Sequence, residues 1–107
     1  MKEAGMRVGL FGFGKAGKAV ANILLSSKEA HLSWVIRKSH LMQHRSVPEF
    51  LGVESDEPGL IFSMDEFSAS ELLDRHPVDV IIDFSSSVTI SYYGDEAARR
   101  GIAIVSA

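Results

Sequence analysis

The sequence predicts an α/β fold: a single-domain, doubly wound parallel sheet of about five strands with helices on both faces. Three observations predict it. Strand-like and helix-like patterns alternate along the chain. The strand segments are near-continuous apolar runs, as expected for strands covered on both faces. A glycine-rich turn, Gly12-Phe13-Gly14-Lys15-Ala16-Gly17, stands between the first strand pattern and the first helix pattern.

The elements follow in order. Arg7–Phe11 (RVGLF) reads as a short buried strand. After the glycine turn, Ala16, Ala19, Val20, Ile23 and Leu24 recur at helical spacing and form one apolar face. Leu32–Ile36 is the second strand. From Lys38 to Pro58 the periodicity fades among prolines, glycines and charges, so this segment reads mostly as loop, with a short helix around His40–Arg45. Leu60–Phe62 is a brief third strand. Ser68-x-x-Glu71 has capping-box spacing before Leu72-Leu73, which starts a helix over Ala69–Arg75 that Pro77 cannot continue. Val78–Phe84 (VDVIIDF) is the strongest strand signal. Ser85-Ser86-Ser87 supplies N-cap candidates for a helix to about Arg100, and Gly101 suits the position after its end. Ile102–Val105 is the last strand.

The bulk properties narrow the function classes. A length of 107 residues suits one domain with a real core. A 46% apolar and 23% charged composition is that of an ordinary soluble domain. The net charge of −3 argues against a nucleic-acid surface but allows a local basic cluster to hold one phosphate. The absence of cysteine removes disulfides, thiolate nucleophiles and cysteine-ligated metals. No apolar run reaches membrane-spanning length, and glycines interrupt the N-terminal segment too early for a secretory signal. Cytoplasmic location is the expectation.

The glycine loop carries the chemistry. Gly12-x-Gly14-x-x-Gly17 between a strand and a helix suits a dinucleotide. One glycine permits the turn, the next admits a pyrophosphate close to the backbone, and the last lets helix and strand pack closely. The helix N-terminus offers N–H groups and a positive dipole end. In NAD-type domains an acid about 20 residues further on binds the adenosine ribose hydroxyls. That acid is missing here, and the apolar run Trp34-Val35-Ile36 gives way to Arg37, Lys38 and Ser39. An arginine fork grips a phosphate, a lysine adds a point charge and a serine adds a donor, so a ribose 2′-phosphate is the expected ligand group. NADPH is therefore the expected cofactor, with NADH possible. Solvated cations at a strand end are the alternative.

With GLFGFGKAG, the basic strand end, VDVIIDFSSS and GIAIVSA together, the chain resembles the N-terminal domain of the dihydrodipicolinate reductase family. The resemblance covers essentially the whole chain, and Ile82–Ser85 (IDFS) is its most specific part. It implies a Rossmann-type domain binding NAD(P)H, in an enzyme of lysine and diaminopimelate biosynthesis. By the same resemblance Gly12, Phe13, Gly14, Lys15, Ala16 and Gly17 form the phosphate loop. Arg37 and Lys38 match the positions that sort NADH from NADPH. Phe84 and Ser85 match residues on the nicotinamide side of the cleft. The chain departs from the family at Ala16, where methionine is usual, near Ser87, where proline is usual, and at Val105-Ser106-Ala107, where Gly-Thr-Thr-Gly is usual. The family's substrate-binding and proton-donating residues lie in a second domain. The chain is thus expected to be one domain that binds cofactor without turnover, its small-molecule substrate being held by that second domain and the intact protein being a homo-oligomer. The competing class is a non-catalytic nucleotide-sensing or CoA-binding domain.

Other polar residues read as structural. Asp83 and Ser85 sit at a strand's carboxyl end, where capping and ligand contact are both open, and Asp83 is expected to accept backbone N–H bonds. No catalytic residue is assigned. His40 and His44 share helical spacing but lack the acid of a zinc motif and a third ligand, so no metal site is expected. Phe11, Trp34, Tyr92 and Tyr93 read as packing, and Phe13 as packing or as a flank of the cofactor.

Overall fold

Each apolar run of the sequence becomes a strand of one parallel sheet. The computed structural model describes residues 5–37, 45–55, 59–84 and 89–106. Along them run β1 (Met6–Phe11), α1 (Lys15–Ser26), β2 (Ala30–Arg37), α2 (Val47–Leu51), β3 (Leu60–Ser63), α3 (Ala69–Arg75), β4 (Val80–Asp83), α4 (Thr89–Arg99) and β5 (Ala103–Ser106). The strand order is β3-β2-β1-β4-β5, and every pair is parallel. The chain steps outward from β1 to β3, then crosses back to β4 and β5. The order therefore reverses beside β1, and in open α/β sheets ligands bind outside the carboxyl ends at such a point.

Two cores cover the sheet. On one face Leu10, Leu32, Val35 and Ile61 meet Ala21 of α1 and Val47 of α2. On the other, Phe11, Trp34, Ile36, Phe62 and Ile81 meet Leu72 and Leu73 of α3 and Tyr93 and Ala97 of α4. Leu32 and Trp34 are two apart yet lie on opposite faces. The pairing explains it: Val8 opposes Leu32, the next residue, Gly9, opposes Trp34, and Ser33 is the extra residue of a bulge. The bulge turns the indole onto the α3/α4 face, where it lies across β1. A Cβ on Gly9 would sit 2.3 Å from that ring, so only glycine fits beneath it.

Segment 38–58, read from the sequence mostly as loop, contains α2. Ser46 caps it by accepting from the Glu49 N–H, Pro48 occupies its first turn, and Gly52 ends it at φ 71°. Ser46-x-x-Glu49 was the legible signal. Of the short helix expected around His40–Arg45, residues 40–44 lie outside the described residues, and Arg45 is not helical. Helix α3 has the expected bounds and a complete capping box between Ser68 and Glu71. Arg100 joins α4 to α3, reaching Glu96 at 3.0 Å and Asp74 at 2.8 Å. All four residues of β5, an edge strand, are exposed, as Val105 shows at 55%. Among the described residues no helix is long and apolar enough to cross a membrane.

At the amino ends of the strands, Asp79 accepts from the Arg7 backbone N–H at 2.8 Å and pairs with its guanidinium at 3.3 Å. Hydrogen bonds from the Arg7 side chain and backbone hold the Asp79 carboxyl below its ordinary value. A depressed folded-state pKa stabilises the fold above the unfolded value of about 3.9 and is lost as pH falls through the folded one. Asp79→Asn is therefore expected to flatten the acid limb of a stability-against-pH curve below about pH 4. An unchanged acid limb would contradict the pairing.

Candidate functional site

The carboxyl ends of three strands are bonded together around β1. The Gly12 N–H donates to the Ile36 carbonyl at 2.9 Å, tying the glycine loop to the end of β2. The Phe84 N–H donates to the Phe11 carbonyl at 2.9 Å, tying the exit of β4 to that of β1. The Met64 N–H donates to the Arg37 carbonyl at 2.9 Å, adding the exit of β3. The loop, Arg37 and Phe84 thus come to one end of the sheet.

Within the loop the glycines have separate reasons. Gly12 has φ 99°, which disfavours any side chain. A Cβ on Gly17 would meet the Gly12 carbonyl oxygen at 2.3 Å, so glycine there lets α1 lie against the loop. Gly14 answers to neither cause. Its φ of −81° and ψ of −160° suit any residue, and a Cβ there meets nothing within 4 Å. The fold does not need this glycine. Gly14 is also the N-cap of α1, with no side chain capping the helix and no acid in its first turn. Helices α2 and α3, by contrast, are each capped by a serine. The amino end of α1 is thus left with positive partial charge and N–H donors for an anion. Lys15 and Ala16 are exposed at this end.

Phe13 is 4% exposed, and its ring turns into the α1/α2 core, 5.6 Å from that of Phe50. Lys18, one turn into α1, places its Nζ 5.6 Å from the Phe13 centroid and 5.1 Å from that of Phe50. The Phe13 ring is therefore a packing element of the loop. Arg37 is partly buried at the last position of β2, opposite Ser63 of β3. Lys38 and Ser39 lie outside the described residues, as do Ser85 and its neighbours Ser86 and Ser87, His40 and His44. Phe84 is half-buried and packs against the α1/α2 core.

Behind the β4 end lies a buried polar pair. Asp83 is 6% exposed and accepts the Tyr93 hydroxyl at 2.7 Å. Tyr93 is stacked on Phe11 with centroids 4.4 Å apart. Burial first, then the bond and charge of Asp83, push the Tyr93 phenol well above its ordinary value. Burial, and then the charge of Glu71, push that of Tyr92 to about 12. Both phenols stay protonated and donate; Tyr92 does so to the Phe67 carbonyl at 2.5 Å. Sequence reasoning expected Asp83 to accept backbone N–H groups; its Tyr93 partner, ten residues on, was not foreseen.

The sequence matches the family described as dihydrodipicolinate reductase, N-terminus, over residues 6–107. The chain belongs to this family. No curated protein matches its sequence. Among solved structures, amine dehydrogenase from Mycobacterium smegmatis is similar at TM-score 0.73 and 20% identity, over 98% of this chain and 30% of that one. RSP, a Rex-family repressor, gives 0.70 and 12%, over 98% and 54%. Apo scyllo-inositol dehydrogenase from Lactobacillus casei gives 0.67 and 19%, over 99% and 29%. These likenesses establish the Rossmann-type fold. The dihydrodipicolinate reductase N-terminal domain described here spans about half or less of each of those chains. Two residues packed beside the loop, Lys18 and Phe50, escaped the sequence reading, and Asp65, which reads from the sequence as a solvated charge or cap, accepts the Ser63 hydroxyl just past the end of β3. Lys18 and Phe50 are joined only through α2, and Asp65 only through strand order.

Proposed function

We propose that this chain is the NADP(H)-binding domain of a dihydrodipicolinate reductase-like oxidoreductase, one that passes hydride from NAD(P)H to an unsaturated cyclic dicarboxylate in lysine and diaminopimelate biosynthesis. Gly14 is the observation that carries nucleotide binding: a glycine that backbone and packing leave unexplained, at an uncapped helix N-terminus, where a pyrophosphate fits. The first-turn N–H groups from Lys15 to Gly17 hold its oxygens. Arg37, with Lys38 and Ser39, receives the 2′-phosphate of the adenosine ribose. Phe84 and Ser85 flank the nicotinamide, toward β4. The bound cofactor supplies the hydride, and the protein supplies orientation and charge. Substrate binding and proton donation fall to the second domain of the family, and the reductase acts in the cytoplasm as a homo-oligomer. The domain alone binds cofactor without turnover.

Arg37→Glu tests the phosphate assignment. Losing one charge-assisted contact of about 1.5–3 kcal/mol weakens NADPH by roughly 10- to 100-fold. NADH is expected to be nearly unaffected in the same calorimetric titration. Equal weakening of both cofactors would sink the 2′-phosphate role.

The second reading is a nucleotide-sensing domain. It is favoured by the likeness to RSP, a repressor solved with β-NADH and, separately, with β-NAD+ and operator DNA. It requires cofactor binding without any hydride acceptor in the intact protein.

A further inference from the structure

We propose that Asp65 reads the adenine base of the nucleotide through its 6-amino group. The inference rests on the nucleotide reading above. The strand order β3-β2-β1 sets a direction across the carboxyl ends of the sheet. The pyrophosphate belongs at the loop after β1 and the adenosine ribose at the end of β2. The base continues outward and lies over the end of β3.

That end is built around one carboxylate. Ser63 is 1% exposed and is the last residue of β3, opposite Arg37 of β2. The Glu66 N–H donates to the Ser63 carbonyl at 3.1 Å and closes a tight turn. The turn carries Asp65 outward, and the buried Ser63 hydroxyl donates to its Oδ1 at 2.6 Å. The Met64 N–H, bonded to the Arg37 carbonyl, fixes the turn to the β2 end. Asp65 is exposed, yet its carboxylate is held in place by a buried donor. An ionised carboxylate only accepts hydrogen bonds. At the 6-position adenine offers an amino donor, whereas hypoxanthine offers an oxo group with only lone pairs and carries its donor on N1 instead. Asp65 therefore selects adenine over 6-oxopurines, complementing the phosphate grip of Arg37 on the neighbouring strand.

The test is calorimetry with NADH and reduced nicotinamide hypoxanthine dinucleotide, which differ at that group and in the proton that hypoxanthine carries on N1. The unaltered protein is expected to prefer NADH by roughly 10-fold or more, as a charge-assisted hydrogen bond implies. Asp65→Asn, whose amide can present either a donor or an acceptor, is expected to bring the ratio close to one. Ser63→Ala, which removes the buried donor to that carboxylate, is expected to give an intermediate ratio. Equal binding of both dinucleotides by the unaltered protein overturns the proposal, and so does a preference that survives in Asp65→Asn; either result leaves the nucleotide reading standing. Failure of the unaltered protein to bind either dinucleotide overturns the proposal, and failure to bind NADPH as well overturns the nucleotide reading.

Discussion

Replacing Trp34 by alanine is expected to destabilise the domain by about 3–5 kcal/mol. The indole is fully buried at 0% exposure. It meets Phe11 edge-on at 5.5 Å, and its Nε1–H donates to the His76 carbonyl at 2.9 Å. Truncation removes apolar burial, leaves a cavity between β1 and α3, and strips a partly buried carbonyl of its donor. Gly9 makes the loss hard to recover, because β1 has no side chain there to fill the space. Chemical denaturation gives the comparison, with the midpoint lowered and the slope kept. A loss below about 1 kcal/mol would mean that the indole is not the keystone of that face.

The second large effect separates binding from folding. Gly14→Val is expected to keep the fold, since the backbone angles are ordinary and the space is open. Its cost is that of a poorer N-cap, about 1 kcal/mol or less. Nucleotide affinity is expected to fall at least about 100-fold, because a branched side chain holds the pyrophosphate off two or more N–H donors. Thermal unfolding and titration of the same sample give both readings. Unaltered affinity in a folded Gly14→Val protein would remove the reason for glycine there.

Much of this architecture was legible in the residues. Local signals gave the five strands, and Ser68-x-x-Glu71 with Pro77 gave the bounds of α3, because a capping box and a helix breaker act over a few residues. The bulge at Ser33 was hidden, since a bulge exists only against a partner strand. Helix α2 was passed over although Ser46, Pro48 and Glu49 announced it; its few residues carry too little apolar periodicity to stand out from a loop. At the site, the glycine spacing pointed to the loop, but the spacing does not distinguish Gly17, needed for packing, from Gly14, left unexplained by it. The Asp83–Tyr93 bond and the placing of Asp65 beside Arg37 depend on long-range packing and on strand order, which residue patterns do not carry.

Cofactor preference decides whether the loop and the basic strand end hold a nicotinamide dinucleotide bearing a 2′-phosphate. Calorimetric titration of the unaltered protein with NADPH, NADH, CoA and ATP tests it most directly. The expected result is one site per chain, filled most tightly by NADPH and next by NADH. Preference for CoA or ATP, or no binding of any of the four, would contradict it.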